Sequence, residues 1–149
     1  MIILDTNVLS ELMKPTPSPR VVAWVAKQSA TELFTTSITE AEIFYGLELP
    51  AKSKRREGLL AAAEAMFAED LAGRVLGFDS DAARAFSKIA GHRRALGRPI
   101  SHADAQIAAI AQARGAKLAT RNVADFENCG VDVVDPWNGV RRKQGPAHG

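Results

Sequence analysis

Five short apolar runs punctuate the chain: MIIL at 1–4, ELFTTS at 32–37, RVLGF at 74–78, KLAT at 117–120 and VDVV at 131–134. Runs of this length bounded by turn-forming residues read as buried strands. RVLGF alone reads equally well as an extended connection. The stretches between them carry apolar residues at helical spacing. PSPRVVAWVAKQ offers Ser18 as cap and Pro19 at the first helical position, with Val22, Val25 and Ala26 in register. SITEAEIFYGLEL is a second helix, and a longer one spans about Ser53 to Leu71 with Leu60, Ala63, Met66 and Phe67 on one face. DSDAARAFSKIAGHRRAL repeats Ala82, Phe86, Ile89 and Ala90; Ser101 starts a last helix with Ile107, Ile110 and Ala111, ended by Gly115 as a left-handed cap. RNVADF reads as a turn with one helical turn. Strands separated by helices pair in parallel through right-handed crossovers, so the expected fold is a three-layer α/β/α sandwich around a central parallel sheet.

The 149 residues suit one domain, expected over 1–138. The remainder, 139–149, has no apolar periodicity and is expected to be a flexible basic tail. A net charge of +2 leaves little mean field, so an anionic partner must be held by local clusters. The single cysteine, Cys129, excludes an internal disulfide and a cysteine metal knuckle, and reads as a packing residue in a reducing compartment. The first residues lack the pattern of a signal peptide, and LLAAAEAMFA is too short and too interrupted to span a membrane. A cytoplasmic protein without a membrane partner is expected.

In a parallel sheet the carboxyl ends of the strands and the amino ends of the following helices share the edge where ligands bind. That edge should receive Asp5 after the first strand, Glu42 in the first turn after ELFTTS, Asp104 in the first turn after Ser101, and Asn122 and Asp125 after KLAT. Each has a plainer reading. Asp5 or Thr6 can cap the helix begun by VLSELM; Thr39-Glu-Ala-Glu42 and Ser101-His-Ala-Asp104 match a capping box; Asp125 can cap a turn at Phe126. Taken together the acids point elsewhere. Several carboxylates within a few ångströms repel one another and are costly unless a cation offsets them. Oxygen donors without paired cysteine or histidine favour Mg²⁺ or Mn²⁺, which suit phosphodiester hydrolysis. No Gly-rich phosphate loop argues for other phosphate chemistry.

The segments MIILDTNVLSELMKP, SITEAEIFYGLEL, ISHADAQIAAIA and KLATRNVADF, in that order, resemble the PIN-domain nucleases, and within them the VapC toxins of toxin–antitoxin modules, especially the FitB-like group. The likeness runs from Met1 to the DPWN at 135–138. It implies an Mg²⁺- or Mn²⁺-dependent ribonuclease that acts on RNA, forms a homodimer, and is inhibited by a small VapB-like antitoxin through which operator DNA is bound. Asp5, Glu42 and Asp104 match the family's first three acids. The fourth position falls on Asn122, a departure that leaves Asn122 and Asp125 competing and weakens the case for a second metal ion. In this reading Asp5 and Asp104 hold the metal, Glu42 holds it through water or positions the attacking water, and Thr6 and Ser37 orient the acids or cap helices. The alternative is a catalytically weak binding module that dimerises its antitoxin as co-repressor.

Three basic runs, KSKRR at 52–56, HRR at 92–94 and RRK at 141–143, are candidates for an RNA backbone or plain solvated faces; Arg121, beside the acids, is the better RNA contact. His102 reads as a surface or cap-adjacent residue, and His92 and His148 have no partner visible in sequence. Trp137 and most phenylalanines read as core. The helices after Ala41 and after Ser53 are expected to help form the antitoxin groove, a helix-in-groove arrangement.

Overall fold

The computed structural model describes residues 1–49 and 53–143. Its elements are β1 (Ile2–Leu4), α1 (Thr6–Leu12), α2 (Pro19–Ala26), β2 (Leu33–Thr36), α3 (Ser37–Glu48), α4 (Lys54–Ala65), β3 (Val75–Leu76), α5 (Ser80–Ala95), α6 (His102–Arg114), β4 (Lys117–Ala119), β5 (Val133–Val134) and β6 (Arg141–Arg142). The six strands form one sheet in the order β3-β2-β1-β4-β5-β6. In the centre Ile3 pairs with Phe34 on one side and Leu118 on the other.

Alternation along β1 builds two cores, since successive side chains leave a strand on opposite faces. Ile3 joins Ile89, Ile107, Ile110, Leu118 and Phe126 under α5 and α6. Leu4 joins Val8, Leu9, Val21, Ile43, Leu47 and Phe67 under α1 to α4. The expected α/β/α layering follows from this division. From β1 the chain runs to β2, and from β4 it runs to β5 in the opposite half of the sheet. The carboxyl ends of β1 and β4 thus flank a topological switch point, where such sheets open a crevice.

Several expectations need correction. The sheet is not wholly parallel, because β6 pairs antiparallel with β5 through Val134 and Arg141. That strand lies just past the boundary expected at 138, within the segment expected to be a flexible tail: the Asp135 N–H donates to the Val140 carbonyl at 2.9 Å and folds the segment back onto β5. A two-residue pairing needs no apolar run, which is why it left no periodic signal. Val21, not Val22, faces the core from α2; Val22 is 42% exposed. Ser18 stands at the cap of α2 but makes no side-chain cap bond, its N–H going instead to Glu11 Oε2 at 2.9 Å. The helix begun near Ser53 is α-helical only to Ala65 and then widens into a π turn over Met66–Asp70. Of the KSKRR run, Lys52 lies outside the described residues, as does His148. Among the described residues no helix is long and apolar enough to cross a membrane.

Candidate active site

Asp5 follows β1 as the cap of α1, where its carboxylate serves both the backbone and the crevice. Oδ1 accepts the Thr6 N–H at 2.8 Å at the start of α1, so the capping role is real. Oδ2 accepts the Thr120 hydroxyl at 2.7 Å and lies 3.4 Å from Asn7 Nδ2. Asn7 Nδ2 also donates to Thr120 Oγ1 at 3.2 Å, while Asn7 Oδ1 accepts the Arg121 N–H at 3.1 Å. The end of β4 is therefore stitched to the end of β1 around one carboxylate. Only 5% of Asp5 is exposed. Burial pushes its carboxyl up to about 6; the Thr120 and Thr6 bonds oppose that, and the charges of Asp104 and Glu42 add to it.

Glu42 is not part of a capping box with Thr39. The cap of α3 is Thr36, whose hydroxyl oxygen accepts the Thr39 N–H at 3.1 Å. The helix thus starts earlier than that pattern implies, and the acid of its first turn is Glu40. Glu42 follows one turn later, freed from capping. Its Oε1 accepts the Thr6 hydroxyl at 2.7 Å, and Thr6 Oγ1 lies 3.1 Å from the buried Thr39 hydroxyl. Ser37, expected to orient an acid, makes no hydrogen bond to one among the described residues. Thr120 has that place at Asp5.

Asp104 lies in the first turn of α6, capped by Ser101, whose Oγ accepts the Asp104 N–H at 3.2 Å. Burial raises its carboxyl above the usual range, the Ser101 hydroxyl opposes this, and the charges of Asp125 and Glu42 raise it further, with Arg93 pulling down. Asp125 does not cap the turn at Phe126; it lies inside the short 3₁₀ turn Val123–Phe126, its N–H donating to Asn122 O at 3.0 Å. Asn122 stands exposed at the head of that turn without a side-chain cap bond. Between these two, Asp125 is the residue whose charge reaches Asp104.

Arg93 was invisible to sequence reasoning as anything but one of three basic neighbours. It is 5% exposed, and its guanidinium donates to the carbonyls of Arg98 at 2.7 Å, Asp125 at 2.8 Å and Glu127 at 3.0 Å. It cannot grip RNA; it ties α5 to the segment that carries Asp125. The other runs are also partly committed. Arg56 donates to the Leu47 carbonyl, and Arg142 pairs with Glu127 at 2.5 Å. His102 stacks edge-on against Phe86 at 5.6 Å. The signal for Thr120 was available, since a hydroxyl at the end of KLAT meets the same edge as Asp5.

As the side chains stand, no three His, Cys, Asp or Glu among the described residues are arranged to hold a metal ion. Glu42 is turned to Thr6, and Asp5 is spent on α1 and Thr120. The donor set nonetheless fits a hard cation, being carboxylate oxygens among which Asp5 and Asp104 are both raised by burial and by neighbouring acids, a cost that positive charge would relieve.

On the other face, a cavity of about 530 Å³ lies between α1, α2 and α4, lined by Leu12, Met13, Val25, Ala62 and Met66. Its lining includes α4 but no residue of α3, one of the two helices from which the antitoxin groove is expected.

A model of the PIN domain matches residues 2–130. VapC ribonuclease Y4jK of Sinorhizobium fredii is 42% identical over 137 residues, covering 92% of this chain and 98% of that protein. Toxin FitB of Neisseria gonorrhoeae is 36% identical over 138 residues, covering 93% and 99%. The solved structure of FitAB bound to an IR36 DNA fragment superposes with a TM-score of 0.85 at 36% identity, covering 92% of this chain and 96% of its counterpart.

Proposed function

This chain belongs to the PIN-domain family, and from that premise we propose that it is a VapC-type toxin, an endoribonuclease that hydrolyses RNA phosphodiester bonds and is silenced by a cognate VapB-like antitoxin. The observation that carries the reading is the placement of three acids from distant segments at the switch point of the sheet: Glu42 is bonded to Thr6, the residue after Asp5, and the charge of Glu42 acts on both Asp5 and Asp104. Asp5 and Asp104 would hold an Mg²⁺ or Mn²⁺ ion, with Asp125 or the carbonyl oxygen of Asn122 nearby. Such an ion, when bound, supplies positive charge against the phosphate and makes a bound water more acidic. The chain's own residues do the positioning. Thr120 and Asn7 fix the Asp5 carboxylate, Thr6 holds Glu42 where it can orient the attacking water, and Arg93 holds the backbone of Asp125. Ser37 is a weaker candidate, without a bond to any of these acids.

The apolar cavity between α1, α2 and α4 is the seat this reading gives the antitoxin, since an apolar face of a helix fills such a groove. The FitAB complex bound to DNA supports operator binding through the antitoxin. A homodimer belongs to this reading, and the exposed Tyr45 of α3 and Leu49 at its C-cap are apolar surface that it would cover. The protein would act in the cytoplasm.

Purified protein freed of antitoxin should cut a structured RNA with Mn²⁺ or Mg²⁺ and stop with chelator, while Asp5→Asn and Asp104→Asn lose at least about a hundredfold in rate. Parent-like cleavage by both variants would remove the assigned roles. The binding-module alternative draws on Asn122, which carries no charge at the fourth acidic position. Folded protein that strengthens antitoxin on DNA yet cuts no RNA with either ion would favour it.

A further inference from the structure

Beside the acids a second space of about 420 Å³ opens between the segment after β4 and the turn into β6. Arg121, Asn122 and Asp125 line one wall; Asn138, Val140 and Arg142 line the other. It is polar and shares Asp125 with the acid cluster. The guanidinium of Arg121 lies over the ring of Trp137, 5.0 Å from its centroid. The Trp137 main chain is held on both sides, its backbone N–H donating to Asp135 Oδ1 at 2.8 Å and its carbonyl accepting from Arg20 Nη1 at 3.3 Å. Asp135 also lines the space, but Oδ2 is engaged by Asn138 Nδ2 at 3.0 Å.

Arg121 differs from the other arginines near the acids. Arg93 is buried among carbonyls and Arg142 is paired with Glu127, whereas Arg121 is exposed and makes no ion pair among the described residues. A stacked guanidinium keeps its fork of donors while losing little further freedom on binding, which suits a phosphate. Its backbone is fixed to the acid site through Asn7, and the next N–H, of Asn122, donates to Thr120 Oγ1 at 3.2 Å. The cation is therefore in register with the Asp5 carboxylate.

We infer that this cleft is a nucleotide subsite: it takes one ribonucleotide of the RNA strand adjoining the scissile bond, with Arg121 on its phosphate, Trp137 as the support of Arg121, and the amides of Asn122 and Asn138 facing its sugar or base. The inference rests on the ribonuclease reading above. It gives the β5–β6 turn a role in substrate binding.

The test separates binding from cleavage. A fluorescent single-stranded RNA of mixed sequence is titrated into antitoxin-free protein in EDTA over a range of salt, and cleavage with Mn²⁺ is measured in parallel. Removing one phosphate contact lowers the slope of log affinity against log salt by about 0.7 for a single strand. Arg121→Gln should show that decrease and raise KM about tenfold with kcat within about threefold. Arg121→Lys should keep the slope but bind more weakly, and Trp137→Leu should weaken binding several-fold without changing the slope. If Trp137→Leu fails to fold, Trp137→Phe replaces it. Unchanged slope and KM in Arg121→Gln, with a parent that binds and cuts RNA, overturn the subsite alone. A parent that binds with the Arg121-dependent slope yet cuts nothing overturns the ribonuclease reading and leaves the cleft as an RNA-binding site. A parent that binds no RNA overturns both.

Discussion

Asp5 is held in an environment that disfavours its charge, and this has a consequence for stability. Its folded pKa of about 6 exceeds the ordinary 3.8, so between these values the folded state binds more proton than the unfolded one. The contribution is fully present below the lower value and is lost as pH rises through the upper one, by about 3 kcal/mol in all. In chelator, Asp5→Asn should therefore gain stability on the parent as pH climbs from about 4 to about 7 in urea titrations; parallel curves would show that burial does not strain this carboxylate. Arg93 makes the opposite prediction. Arg93→Met leaves the carbonyls of Arg98, Asp125 and Glu127 without their donor, and should cost about 3 kcal/mol by the same measurement. A loss below about 1 kcal/mol would mean that water replaces the guanidinium.

Helix ends decide where the acids point. Gly115 closes α6 with φ of 63°, and a Cβ there would meet nothing within 4 Å, so Gly115→Ala tests conformation alone. It should lower stability by about 1 kcal/mol without touching RNA cleavage. The Gly115 cap was legible because a glycine followed the last periodic residue. The cap of α3 was not: Thr36, Ser37 and Thr39 are all plausible, and only strand pairing to Leu76 fixes Thr36 as the last extended residue. Acids and strands could be read because burial and charge leave patterns in sequence. The bonds of Thr120, Asn7 and Arg93 could not, since each joins segments whose approach depends on the completed fold. Val21 displaced Val22 for a similar reason, one residue of rotation on a short helix being below what spacing resolves.

For the molecule as a whole, β6 and its turn attach residues 135–142 to the sheet edge and wall the cleft beside the acids. Ending the chain at Asn138 should lower the melting temperature by a few degrees and raise KM for RNA; an unchanged melting curve would return this segment to a dispensable tail. The sheet carries Asp5, Glu42 and Asp104 to one edge, from the end of β1, the second turn of α3 and the start of α6, and the proposed metal site requires their carboxylates to converge there. Mn²⁺ binding to antitoxin-free protein, followed by calorimetry for the parent, Asp5→Asn, Glu42→Gln and Asp104→Asn, reads that convergence. Weakening of the ion by about tenfold or more in both aspartate variants, with a smaller loss for Glu42→Gln, is the predicted result. Parent-like affinity in Asp5→Asn and Asp104→Asn, with all proteins folded, would contradict it.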